Sequence, residues 1–224
     1  NQQRPSDQVP ASLDELTRQV TIRIAPTIGR AVEEVRREAA PNVSPRAKNV
    51  AAATFRRLLA SPPVDLVSTL DGLGTTLRVI RVEPSSMRPR EAVSFASFEF
   101  TDVAATPWEE SEVLAALGRV LFIVLDSRTG TAVTESRVRG SFMWTADPDT
   151  VETMKDEYER FRRAFVEQPP RLWPRASQTS VLHVRPHGRN RHDVLPLPSG
   201  DAHVRSSFWF NQSFVQRLVT ANLG

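Results

Sequence analysis

The sequence contains no cysteine, which excludes a disulfide framework, a thiolate metal site and a thiol nucleophile. Lysine is nearly absent: it occurs only at Lys48 and Lys155, so 27 of the 29 basic residues are arginine. Any chemistry that requires an ammonium group therefore has two candidates. Glycine is sparse, at 9 of 224 residues, and no phosphate-cradling loop is present. Gly72-Leu73-Gly74 lacks a following Lys-Ser/Thr and leads into a strand pattern instead of a helix. No G-x-S-x-G elbow supports Ser/His/Asp hydrolysis. No apolar run approaches ~18 residues, so no membrane-spanning helix is expected, and no signal peptide is recognised. A chain that opens on Asn1 and not on Met is expected to be a fragment or a processed form.

What is present suits a folded domain. Forty per cent hydrophobic residues excludes a mainly disordered chain, and 224 residues suffice for one compact unit. The net charge of +3 is unevenly placed. From Arg171 onward there are seven arginines against Asp193 and Asp201, a balance of +5, which leaves −2 for residues 1–170. All four histidines, His183, His187, His192 and His203, fall in the same basic quarter. Such a segment attracts a polyanion, or else forms a solvated basic face.

Residues 1–11 are polar and read as a disordered lead-in. Ser12 and Glu15 form a capping pattern that opens a helix to Ile24. A second helix is expected over 30–39, and a third from Ser44-Pro45 to Ala60, closed by Pro62-Pro63. Short β-branched runs then predict strands over 75–83, 92–100, 120–126 and 131–144. The run VLFIVLD is continuously apolar, as in a strand buried on both faces. Between these lies a helix after Thr106-Pro107, and Asp147-Pro148 caps a long charged helix to Val166. Strands over 179–186 and 203–210, with a loop over 187–201 between them, precede a last helix over 211–222. This pattern predicts a single α/β domain over residues 12–224, a mixed sheet flanked by helices.

The loop that begins at His187 is the most pointed chemical feature. With the end of the preceding strand it places Arg185, His187, Arg189, Asn190 and Arg191 within seven residues. Arginine offers paired donors to phosphate oxygens and to the guanine edge, and asparagine can read adenine. The histidine spacing leaves a metal site and a polar binding loop both open. Beyond the loop, Phe208 and Phe210 read as core residues on one strand face, with Trp209, Asn211 and Gln212 beside them for a ligand.

From residue 30 to 220 the chain resembles the MutH family, which includes the mismatch-repair nicking endonuclease and related type II restriction endonucleases that cut at GATC. The stretches TTLRVIRVEPSSMRPREAVSF, PWEESEVLAALGRVLFIVLD, VLHVRPHGRN followed by LPLPSG, and SSFWFNQSFVQRLV carry the resemblance, in family order. It implies a restriction-endonuclease-like (PD-(D/E)xK) core. It also implies catalysis by an Asp and a Glu-x-Lys on a strand, the carboxylates holding Mg²⁺. Carried onto this chain, the Glu position falls on Leu73, the Lys position on Thr75 and the Asp position near Leu66, with Asp65 one residue away. A helix carboxylate falls at about Arg56.

None of these can serve. Leu73 binds no metal and Thr75 has no ammonium; neither Lys48 nor Lys155 has an acid two residues before it. Glu135-Ser136-Arg137 is the nearest imitation, on a different strand. The DNA-contacting Arg-Pro-Lys element of the family corresponds to Arg185-Pro186-His187, and its base-approaching aromatic residue to Trp209. The resemblance therefore implies a degenerate, non-catalytic C-terminal copy with no cofactor of its own. Its implied partners are double-stranded DNA and a catalytic nuclease domain of the same or another chain, in the cytoplasm and away from membranes. The alternative is an active Mg²⁺-dependent endonuclease with a relocated metal site at Asp65, Asp71 and Glu83.

Overall fold

The computed structural model describes Pro10 and residues 12–224; apart from Pro10, the lead-in expected over 1–11 lies outside the described residues. The helices are α1 (Leu13–Ile24), α2 (Val32–Ala39), α3 (Val50–Ala60), α4 (Leu66–Gly72), α5 (Phe100–Ala105), α6 (Val113–Leu117), α7 (Pro148–Glu167) and α8 (Gln212–Leu223). The strands are β1 (Thr76–Val82), β2 (Val93–Phe98), β3 (Arg119–Asp126), β4 (Arg137–Thr145), β5 (Leu182–Pro186), β6 (Val194–Pro196), β7 (Ala202–Val204) and β8 (Ser206–Phe210). The described residues form two compact units: residues 12–91 with 119–145 and 219–224, and residues 92–118 with 146–218. The architecture is mixed α/β with small sheets.

In the first unit, β1 and β3 run parallel and β4 joins β3 antiparallel. Val120 to Leu125 on β3 are all buried, as their unbroken apolar run requires. Leu77, Leu121, Ile123 and Leu125 pack with Leu16, Val20 and Ile24 of α1, Phe55 and Leu59 of α3, and Leu66 and Leu70 of α4. Ser12 caps α1 as its spacing predicts, its hydroxyl accepting the Glu15 N–H at 3.2 Å.

The second unit holds an antiparallel sheet in the order β2-β8-β5, and the β6–β7 hairpin. The apolar face of α7 buries Met154, Tyr158, Phe161 and Phe165. Phe165 lies 5.2 Å from Phe100, 5.7 Å from Phe98 and 4.7 Å from Trp173, centroid to centroid. Such ring clusters bury large area in defined geometries.

Several local expectations are corrected. One central sheet was expected, yet β1-β3-β4 and β2-β8-β5 are separate, because β2 pairs with a strand near the far end of the chain. The third helix begins at Val50, with Asn49 at the N-cap position, and not at Ser44-Pro45. Helices α4 and α5 were not anticipated; α4 is started by Asp65, whose Oδ1 accepts the Val67 and Ser68 N–H groups at 3.0 and 3.1 Å. The strand expected over 131–144 begins only at Arg137, and that over 179–186 only at Leu182. The strand expected over 203–210 is split at Arg205, and the loop over 187–201 contains β6.

Candidate functional site

The face of β5 and β8 is set from below by a buried carboxylate. Glu157, on α7 and 4% exposed, accepts the backbone N–H groups of Ser180, of Val181 at 3.2 Å and of Leu182 at 2.6 Å. An anion in apolar surroundings is stable only with such donors around it. Where β5 begins is thereby fixed, and with it the face each residue presents. Register pairs His183 with Trp209 and Arg185 with Ser207, so these four share one face, while Phe208 and Phe210 turn into the core.

On that face the Arg185 guanidinium lies 5.4 Å from the Trp209 ring centroid. The His187 imidazole lies 5.3 Å from the same ring, and its Nδ1 is 2.9 Å from the Ser207 hydroxyl. Arg185 and Trp209 sit on the diagonal of the strand pair, the spacing at which long and aromatic side chains meet. Trp209 is half-buried, and its Nε1 is buried without a hydrogen-bond partner. A guanidinium and an imidazole thus both approach one aromatic ring, an arrangement suited to a ligand that is both anionic and planar.

An open cleft adjoins this cluster, lined by Ser97, His187, Arg189, Asn190, His192, Asp193 and Arg205. The loop is folded on itself: Asp193 accepts the Arg189 N–H at 2.9 Å and Arg205 Nε at 3.1 Å, and Asn190 Oδ1 accepts the His192 N–H at 2.8 Å. Exposed Arg191 contacts His192 at 3.1 Å. Arg185, His187, Arg189, Asn190 and Trp209 are therefore assembled much as their spacing suggests. Ser207 and Arg205 escaped notice, since only the strand pairing brings them to the loop.

Asn211 is a correction. It was expected to stand ready for a ligand, but it is 5% exposed and acts as an internal strut. Its Oδ1 lies 2.5 Å from His183 Nδ1, and its Nδ2 donates to the Thr179 carbonyl at 2.7 Å. Gln212, next in the chain, opens α8 and is half-buried. His183 is itself buried, and burial above all, with the nearby Arg185 charge adding, lowers its pKa from the ordinary value while the Asn211 contact opposes this. Among the described residues no three His, Asp or Glu side chains gather to hold a metal, so the histidine spacing builds no metal site there.

The positions carried over for catalysis do not lie on a strand. Leu66 is in the core of α4, Leu73 follows that helix as its C-cap, and Thr75 precedes β1, buried with its hydroxyl unpaired. Gly74, at φ +62°, makes the left-handed turn between helix and strand. The strand itself begins Thr76-Leu77-Arg78. Burial, with the like charge of Arg56 adding, pulls the Arg78 guanidinium down to about 10. Mg²⁺ requires oxygen ligands, chiefly carboxylates, and a guanidinium adds charge of its own sign, so these residues do not fit the metal. The relocated set fails as well. Asp65 is engaged in capping α4, and Ser68 in particular holds its pKa below the ordinary value. Asp71 precedes β1 and Glu83 follows it, about 20 Å of strand apart, and Glu83 pairs with Arg90 at 3.5 Å.

No described helix is long and apolar enough to cross a membrane. The sequence model of the family described as "DNA mismatch repair enzyme MutH" matches residues 64–157. The chain is 22% identical over 157 residues to the DNA mismatch repair protein MutH of Shewanella baltica strain OS185, covering 68% of this chain and 69% of that protein. It is 27% identical over 160 residues to the protein of the same description from Escherichia coli O17:K52:H18, covering 66% of each. The matched segment holds α4, β1 to β4 and the start of α7, and over it the chain is similar to the MutH family.

Proposed function

We propose that this chain is a MutH-like domain of restriction-endonuclease-like (PD-(D/E)xK) fold that binds double-stranded DNA without cutting it. The observation that carries this reading is the cluster of Arg185 and His187 around Trp209, with Arg189 and Asn190 in the adjoining cleft. Arg185, Arg189 and Arg191 supply phosphate contacts, and Asn190 and the Trp209 face approach base edges. The relatives are described as mismatch repair proteins, and DNA is the partner that this description and the basic cluster suggest together. Inactivity is supported by Leu73 and Thr75, which stand at the positions carried over for the Glu and the Lys and offer neither a carboxylate nor an ammonium.

In this reading the domain acts as effector for a catalytic nuclease domain of the same or a partner chain: DNA held here promotes cutting there. The test combines a gel-shift series on duplex DNA with incubation of supercoiled plasmid in Mg²⁺. The expected result is a shift that weakens steeply with salt and a plasmid that stays supercoiled. Nicking abolished by Asp71→Ala would overturn the inactive reading, and the absence of any shift would overturn the DNA reading.

A further inference from the structure

Asp193 is an acidic side chain at the centre of a basic loop, and its neighbours explain why it is there. Its two oxygens take different donors: Oδ2 accepts the Arg189 N–H at 2.9 Å, and Oδ1 accepts Arg205 Nε at 3.1 Å. The backbone repeats the connection, with the Arg205 N–H donating to the Asp193 carbonyl at 2.8 Å and the His187 N–H to the Arg205 carbonyl at 2.7 Å. Arg205 is held from its other side by Glu99, at 3.6 Å. A Cβ added at Gly188 would lie 3.0 Å from the Asp193 carbonyl oxygen and 3.2 Å from its Cβ, so the loop closes on this residue more tightly than most side chains allow.

We infer that Asp193 is a positioning residue for DNA binding: it clamps the loop's two ends together through Arg189 and Arg205, so that Arg189 and Asn190 are held in the His187 cleft before DNA arrives. This rests on the DNA reading above and deepens it. The Arg189 amide, and then Arg205, hold the Asp193 carboxyl below its ordinary pKa, so the clamp stays ionised at neutral pH. A preorganised loop binds more tightly because less order is lost on association. The sign of the effect separates this role from plain electrostatics. Asp193 repels phosphate, so a purely Coulombic role makes its removal strengthen binding, whereas a positioning role makes its removal weaken it.

The experiment measures anisotropy of a labelled duplex against the wild-type chain, Asp193→Ala, Asp193→Asn, Arg189→Ala and the Asp193→Ala/Arg189→Ala pair, with hydrogen exchange at the Arg189 amide. Asp193→Ala is expected to weaken binding by about tenfold, and the Arg189 truncation to have less effect in that background than in the wild type. Asp193→Asn, which keeps a side-chain acceptor, is expected to fall between, and the Arg189 amide to exchange faster in Asp193→Ala. Binding by Asp193→Ala as tight as wild type or tighter, or losses that simply add, overturns the inference alone. A wild-type chain that binds no duplex overturns the DNA reading and this inference with it.

Discussion

The Leu182 amide donates to the Glu157 carboxylate at 2.6 Å, so a single acid on α7 decides where β5 starts. Ser180 and Val181 donate to the same group, and no solvent replaces it at 4% exposure. Glu157→Ala leaves successive buried N–H groups without an acceptor and is expected to lower unfolding free energy by about 2–4 kcal/mol. Glu157→Gln keeps one carbonyl oxygen and should lose about half as much. Urea unfolding with an unchanged m-value checks both.

Acid should weaken the second unit through its histidines. His183 and His203 both have pKa values lowered from the ordinary 6.5, chiefly by burial. The unfolded chain then binds protons that the folded chain refuses, so stability is full above 6.5 and falls as pH drops below it toward the folded values. The expected outcome is a melting temperature that declines from pH 7 to pH 5. The decline should be shallower in His183→Asn, and an equal slope in that variant would contradict the assignment.

The Trp209 ring lies within 5.4 Å of the Arg185 guanidinium and 5.3 Å of the His187 ring. The ring's contact with the Arg185 guanidinium is worth about 0.5–2 kcal/mol, so Trp209→Ala should weaken duplex binding by about that amount and Trp209→Phe by distinctly less. Anisotropy titrations at a temperature where all three proteins are folded provide the comparison.

Metal should leave the protein unchanged. A ligand that binds only the folded state raises stability by mass action, and Leu73, at the position carried over for the Glu, offers no carboxylate. Melting curves in Mg²⁺ and in EDTA are expected to superimpose. A rise in melting temperature with Mg²⁺ that Asp71→Ala removes would revive the relocated metal site.

How much of this was legible depended on how local its cause is. Ser12 and Asp147 cap their helices as their sequence spacing indicates, because a cap is a matter of three or four residues. The burial of β3 was equally legible, since an unbroken apolar run has no solvent face. The pairing of β2 with β8 was not, because nothing near Val93 names a partner beyond residue 205. The same holds within the candidate site. Arg185, His187, Arg189 and Asn190 are close in sequence and their grouping could be read. Asn211 could not be assigned, because its role depends on Thr179 and His183, which arrive from another strand. The missed helix α4 had one local signal, Asp65 followed by apolar residues, masked by the prolines before it and by the glycines that end it.

Duplex DNA binding by the Arg185 face is the central proposal for this chain. The measurement is the salt dependence of duplex affinity in EDTA, for the wild-type chain and for Arg185→Ala. With Arg185, Arg189 and Arg191 on phosphates, log affinity should fall with log salt with a slope of about −3, and Arg185→Ala should reduce its magnitude by about 1. Duplex binding that ignores salt, or an Arg185→Ala chain that binds with the wild-type slope and affinity, would contradict it.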